Sequence, residues 1–151
     1  MCMLLKTHLA VGLAVAFYFL PHVQNRLAFV VIVLFASVLP DLESEILLDK
    51  HKKIKLFGMI GKNSFLHTYT ACLIATGLFA FFAPIVALPF FLGYSFHLAV
   101  DAFSREGIAP FWPFTTKRAS GKITPGGHVD YAVFSLSLIF AALMLIKILI
   151  Q

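Results

Sequence analysis

The stretch YAVFSLSLIFAALMLIKILI at residues 131–150 decides the solvent in which this chain folds. As a helix it extends about 30 Å, the thickness of a bilayer's hydrocarbon core, and Lys147 is its only charged residue. It is long enough to cross a membrane by itself. Working outward, four more apolar segments stand at about 7–20, 27–40, 65–82 and 84–103. The first two fall short of the ~20 residues a perpendicular crossing needs, so they require flanking residues, a thin membrane or shelter among neighbouring helices. Pro84 separates the third and fourth segments and suits the first turn of a helix, which predicts a tight helical hairpin there. Pro89 is expected to kink the fourth.

The composition agrees. Of 151 residues, 60% are hydrophobic and 13% charged, and the mean hydropathy is +0.93. Soluble domains are about half apolar, and one of this length could not cover so much apolar surface with so few charges. The expectation is an all-α, polytopic membrane bundle of four to five hydrophobic helices, forming a single integral membrane domain over residues 1–151. The first segment follows Lys6 and is short, as in a signal peptide, but Pro21-His22-Val23-Gln24 is a poor small-residue cleavage site, so it reads as a retained helix. Cys2 and Cys72 are far apart in sequence, which predicts neither a disulfide nor a thiolate zinc motif.

The net charge is +5. The basic residues sit in loops rather than on a polar helix face, which argues against nucleic acid as a partner and for a role in topology. If all five segments cross, the N-terminus and the loops at 41–64 and 104–129 share one side. That side carries all of the 12 Lys and Arg except Arg26 and Lys147. By the positive-inside rule it is cytoplasmic, making the chain a multi-pass protein of the inner (cytoplasmic) membrane. The run from Lys50 to Lys55 also attracts anionic lipid headgroups, by about 1 kcal/mol per charge. Membrane lipid is therefore the expected partner. The aromatic, proline-rich stretch from Ile108 to Phe114 fits the headgroup belt.

The same topology gathers chemistry. His8 opens the first helix, Asp41 ends the second, His67 opens the third, His97 and Asp101 close the fourth, and His128 and Asp130 precede the fifth. All fall on the cytoplasmic side. Ionisable groups at membrane depth are costly and are kept where they pair, bind a metal or line a wet cavity. In His97-Leu98-Ala99-Val100-Asp101, the i, i+4 spacing puts imidazole and carboxylate on one helical face, as metal ligation requires. Such nitrogen and oxygen donors without thiolate suit zinc or another divalent transition metal outside a closed structural zinc site. Each residue also has a plainer reading. His97 and Asp101 make an ordinary ion pair, Asp41 after Pro40 ends a helix, and His8 and His67 are interfacial side chains. His128 and Asp130 follow the flexible turn Pro125-Gly126-Gly127, and Asp130 serves equally as a helix N-cap. His22 lies on the opposite side and His51 in a lysine-rich solvated run, so neither is a candidate.

Thr7-His8, Leu39-Pro40-Asp41, His67-Thr68 and the stretch GYSFHLAVD at 93–101, followed by Gly107 and Trp112-Pro113-Phe114, together resemble the YdjM-like family of membrane-bound metal-dependent hydrolases. The resemblance spans about residues 5–115, and its most specific part is the H-x-x-x-D segment followed by Gly and Trp-Pro-Phe. It implies a small helical inner-membrane protein with a hydrolytic metal centre, distantly similar to the helical core of the zinc-dependent phospholipases C. It assigns metal roles to His8, Asp41, His67, His97 and Asp101. Just before His67, Asn63-Ser64-Phe65-Leu66 departs from the family's more usual Arg-Gly-type lead-in, which puts an Arg contact to a substrate phosphate in question.

Sequence reasoning thus arrives at a hydrolase with a divalent ion, zinc first and manganese second, acting on a phosphoester or lipid ester. Asp41 and Asp101 serve as oxygen ligands or as general base. The alternative is a non-enzymatic membrane protein, a metal transporter or a subunit that docks a partner, in which the cluster is structural. Transport sites lie near the membrane midplane, whereas these residues stand at helix ends. The sequence does not indicate an oligomeric state.

Overall fold

The computed structural model describes residues 4–41 and 65–150. Cys2, His51 and the lysine run at 50–55 lie outside them. Among the described residues there are five α-helices and no strand, only two isolated β-bridges. The helices are α1 (Leu5–Phe19), α2 (Arg26–Ala36), α3 (Tyr69–Phe82), α4 (Pro84–Ala102) and α5 (His128–Ile150). The fold is all-α.

Local chemistry sets the helix ends. Beyond α1 comes a 3-10 turn, Leu20–His22, in which Pro21 has no N–H with which to extend the ladder. α2 stops at Ala36, short of the segment 27–40 that hydropathy suggests. In a continuous helix the Pro40 ring would collide with the carbonyl of residue 36, so the chain turns at Ser37 and Val38, and residues 39–41 begin a new helical turn. Thr68 caps α3, its hydroxyl accepting from the Ala71 N–H at 3.1 Å. Ala83 alone joins α3 to α4, with Pro84 in the first turn of α4, so the two helices form an antiparallel hairpin. α4 continues on both sides of Pro89.

α1 lies at the centre of the packing and touches α2, α4 and α5. Lipid is as apolar as leucine, so helices in a bilayer gain little from burying oily surface and rely on close approach through small residues. Ala10, Ala14 and Ala16 of α1 and Ala36 of α2 are all buried. Gly93 of α4 gives the closest approach: a Cβ there would fall on the Val33 carbonyl oxygen of α2. The backbones of α2 and α4 therefore touch one helical turn away from the site residues.

Two helices, α4 and α5, are long and apolar enough to cross a membrane. α1, α2 and α3 have 15, 11 and 14 residues, hence lengths of about 17–23 Å against ~30 Å of hydrocarbon. On length, two spans qualify where four to five are expected. α5 packs against α1 but fully buries few of its residues, Asp130 and Ala141 among them. The loop between α4 and α5 closes its own backbone bonds, including Ile108 and Ala119 exchanging N–H···O bonds of 2.9 and 2.8 Å. Pro110 O accepts the Tyr69 N–H at 2.8 Å, which ties the loop to the start of α3.

Candidate metal centre

The first turn of α1, the chain just beyond α2, the approach to α3 and the last turn of α4 meet at one end of the bundle. They bring together His8, Asp41, His67, His97 and Asp101. His67 Nε2 stands 3.6 Å from Asp41 Oδ1 and 3.8 Å from Asp101 Oδ2. His97 Nε2 stands 3.8 Å from Asp41 Oδ1 and 3.4 Å from Asp101 Oδ2. His8 Nε2 is 3.3 Å from Asp101 Oδ1 and 4.0 Å from Asp41 Oδ2. His8, His97 and Asp101 are fully buried, while the Asp41 and His67 side chains keep 15% and 12% of their surface exposed. Asp41 and His67 are thus the least deeply buried of the five.

These separations bear on both readings of the cluster. An N–H···O bond is ~2.9 Å long, and most of the observed spacings exceed its usual range. Donor atoms sharing a tetrahedral ion at about 2.0–2.1 Å stand about 3.3 Å apart. Asp41, His67, His97 and Asp101 each offer a donor atom, all within 4.8 Å of one another. The group is one that could hold a metal ion. The two carboxylates also bring to one place the negative charge that a bound cation would offset.

The backbone fixes the tautomer of His97. His97 Nδ1 lies 2.7 Å from the Ser37 carbonyl oxygen. A carbonyl only accepts, so Nδ1 carries the hydrogen and Nε2 turns its lone pair toward the carboxylates, the arrangement that orients metal-binding histidines. His97 Nε2 and both ring nitrogens of His8 are buried without a hydrogen-bond partner. Buried polar atoms are nearly always satisfied, and a neutral imidazole has one N–H and one lone pair, so His97 Nε2 and one nitrogen of His8 each present a lone pair to the cluster.

His128 is exposed at the head of α5, and His22 is exposed at the far end of α1. Asp130 is fully buried, but it faces other partners: it accepts from the Thr7 hydroxyl at 2.6 Å and from the Gly126 N–H at 2.8 Å. It ties α5 and the preceding turn to the residue before His8. Residue types in the sequence signal neither the Ser37 carbonyl nor the Thr7–Asp130 bond, whose partners are 123 positions apart. Tyr94 donates its hydroxyl hydrogen to the Leu66 carbonyl and so holds the residue before His67 against α4. Its place three residues before His97 is the one sequence hint of that role.

A family model described as YdjM inner membrane protein matches residues 3–150. Comparison with curated proteins returned no match, and comparison with solved structures returned none either.

Proposed function

The chain belongs to the YdjM inner membrane protein family, and from that premise we propose that it is a metal-dependent hydrolase working at the cytoplasmic face of the membrane. The observation that carries the reading is the spacing of the four donors from Asp41, His67, His97 and Asp101, too wide for good hydrogen bonds and suited to an ion. A divalent ion, zinc or manganese, lowers the pKa of water toward 7 and polarises a phosphoryl or acyl oxygen, supplying a nucleophile without serine or cysteine.

The protein's own residues do the rest. The Ser37 carbonyl holds His97 in the tautomer whose Nε2 lone pair faces inward. Asp41 and Asp101 bring the negative charge that a cation requires, and each stands within 4 Å of His67 Nε2 and of His97 Nε2.

Five helices crossing or entering the bilayer would put this end among the lipid headgroups, with the short α1 sheltered by α2, α4 and α5. Arg105, Lys117 and Lys122 are exposed on the neighbouring loop and favour an anionic phosphoester or lipid ester there. The site's position at helix ends, rather than mid-span, favours surface chemistry over transport.

Elemental mass spectrometry on detergent-purified protein tests the reading first. Wild type should carry zinc or manganese in stoichiometric amount, with at least a tenfold fall in His97→Ala and Asp101→Asn. Hydrolysis of phosphoester or lipid-ester substrates should disappear in the same variants. Protein that binds no metal even after add-back would overturn the proposal and leave a structural cluster.

A further inference from the structure

In each carboxylate of the cluster, the oxygen nearest His8 is not the one nearest His67 and His97. Asp41 Oδ1 faces His67 and His97, while its Oδ2 is the oxygen nearest His8. Asp101 repeats the pattern, with Oδ2 toward His67 and His97 and Oδ1 toward His8. His8 stands outside the set of four whose donor atoms lie within 4.8 Å of one another. Resting on the metal-site reading, we infer that the protein holds two divalent cations: one among His67, His97, Asp41 Oδ1 and Asp101 Oδ2, the other among His8, Asp41 Oδ2 and Asp101 Oδ1.

Two further observations about His8 support this. Its ring stacks on that of His97 with centroids 3.9 Å apart and planes 24° from parallel. In-plane lone pairs of two nearly parallel rings at that separation do not converge on one point within coordination distance, so the imidazoles address neighbouring positions. The Asp101 carboxylate lies across the stack and offers one oxygen to each ring, at 3.3 and 3.4 Å. His8 is also 99% buried, and neither ring nitrogen has a hydrogen-bond partner. A buried imidazole that served only as packing would leave both nitrogens desolvated for nothing, whereas a cation beside the carboxylate oxygens satisfies Nε2. Two carboxylates bridging two cations is the arrangement found in many sites that handle phosphoryl groups.

Manganese is the informative probe, because it reports both number and proximity. Full-length protein in detergent would be stripped with chelator, loaded with Mn²⁺, freed of excess by gel filtration, and measured by elemental mass spectrometry and electron paramagnetic resonance. Wild type should hold two Mn²⁺ per chain with an exchange-coupled spectrum. His8→Phe, which keeps the stack on His97, and His8→Ala should each hold one, with an uncoupled six-line spectrum. One Mn²⁺ per chain in wild type, two uncoupled ions, or two ions retained by folded His8 variants would overturn the two-cation inference while leaving the metal-site reading intact. Wild type that binds none removes the underlying reading itself. Should the His8 variants fail to fold, the wild-type stoichiometry and coupling decide the matter.

Discussion

Asp130 is a buried carboxylate whose partners lie outside the His/Asp cluster. Both its oxygens accept hydrogen bonds, one from the Thr7 hydroxyl and one from the Gly126 N–H. Asp130→Asn turns one of those oxygens into an NH2 donor, so one of the two partners loses its acceptor in a buried place. A loss of about 1–3 kcal/mol follows, measurable as an earlier unfolding midpoint in a denaturing-detergent titration. Bound metal should remain, and a folded Asp130→Asn protein that has lost all its metal would instead put Asp130 in the site. From sequence, this residue reads only as a weak candidate or a cap, because nothing in residues 125–130 names a partner in the first helix. His97 and Asp101 are different. Their i, i+4 spacing fixes a shared face whatever surrounds them, and the structure places their facing atoms 3.4 Å apart.

At the scale of elements, the break after α2 brings Asp41 to the site. Pro40 cannot continue the helix that ends at Ala36, and the turn at Ser37 both frees a carbonyl for His97 and redirects the chain so that Asp41 faces His67. Pro40→Ala removes the obstacle. If α2 then extends, residue 41 rotates away from the cluster and the Ser37 carbonyl is drawn into the helical ladder. Metal affinity should fall about 10–100-fold, as for losses of outer-shell support, with helical content by circular dichroism unchanged or slightly raised. Unaltered affinity would mean that packing alone holds Asp41 in place. That the site sits at helix ends was legible in the sequence, because each candidate falls where an apolar run begins or stops. The end of α2 was legible only in part: hydropathy carries the segment through Pro40, and the steric rule that stops it at Ala36 acts four residues earlier. The contact at Gly93, which sets α2 against α4 and so fixes the distance from Ser37 to His97, depends on a pairing of helices that no periodicity announces.

For the molecule as a whole, the membrane's orientation follows from where charge and chemistry lie along the bundle axis. His8 and His22 mark opposite ends of α1, and Lys147 lies near the far end of α5 from Asp130. Arg105, Lys117, Arg118 and Lys122 share the loop at the site end, so a bilayer obeying the positive-inside rule puts that end in the cytoplasm. Single cysteines introduced by Lys122→Cys and His22→Cys, in a background with Cys2 and Cys72 replaced by serine, test this with a membrane-impermeant thiol reagent. Lys122→Cys should react in inverted vesicles and be protected in right-side-out ones, and His22→Cys should do the reverse. Labelling of both from the same side would mean that α1, a helix of 15 residues, does not cross, and the site would then be held at the interface by α4 and α5 alone. A fully reversed pattern would move the site to the other face of the membrane, where the metal supply and the substrates differ, and would overturn the cytoplasmic placement while leaving the geometry of the cluster as it stands.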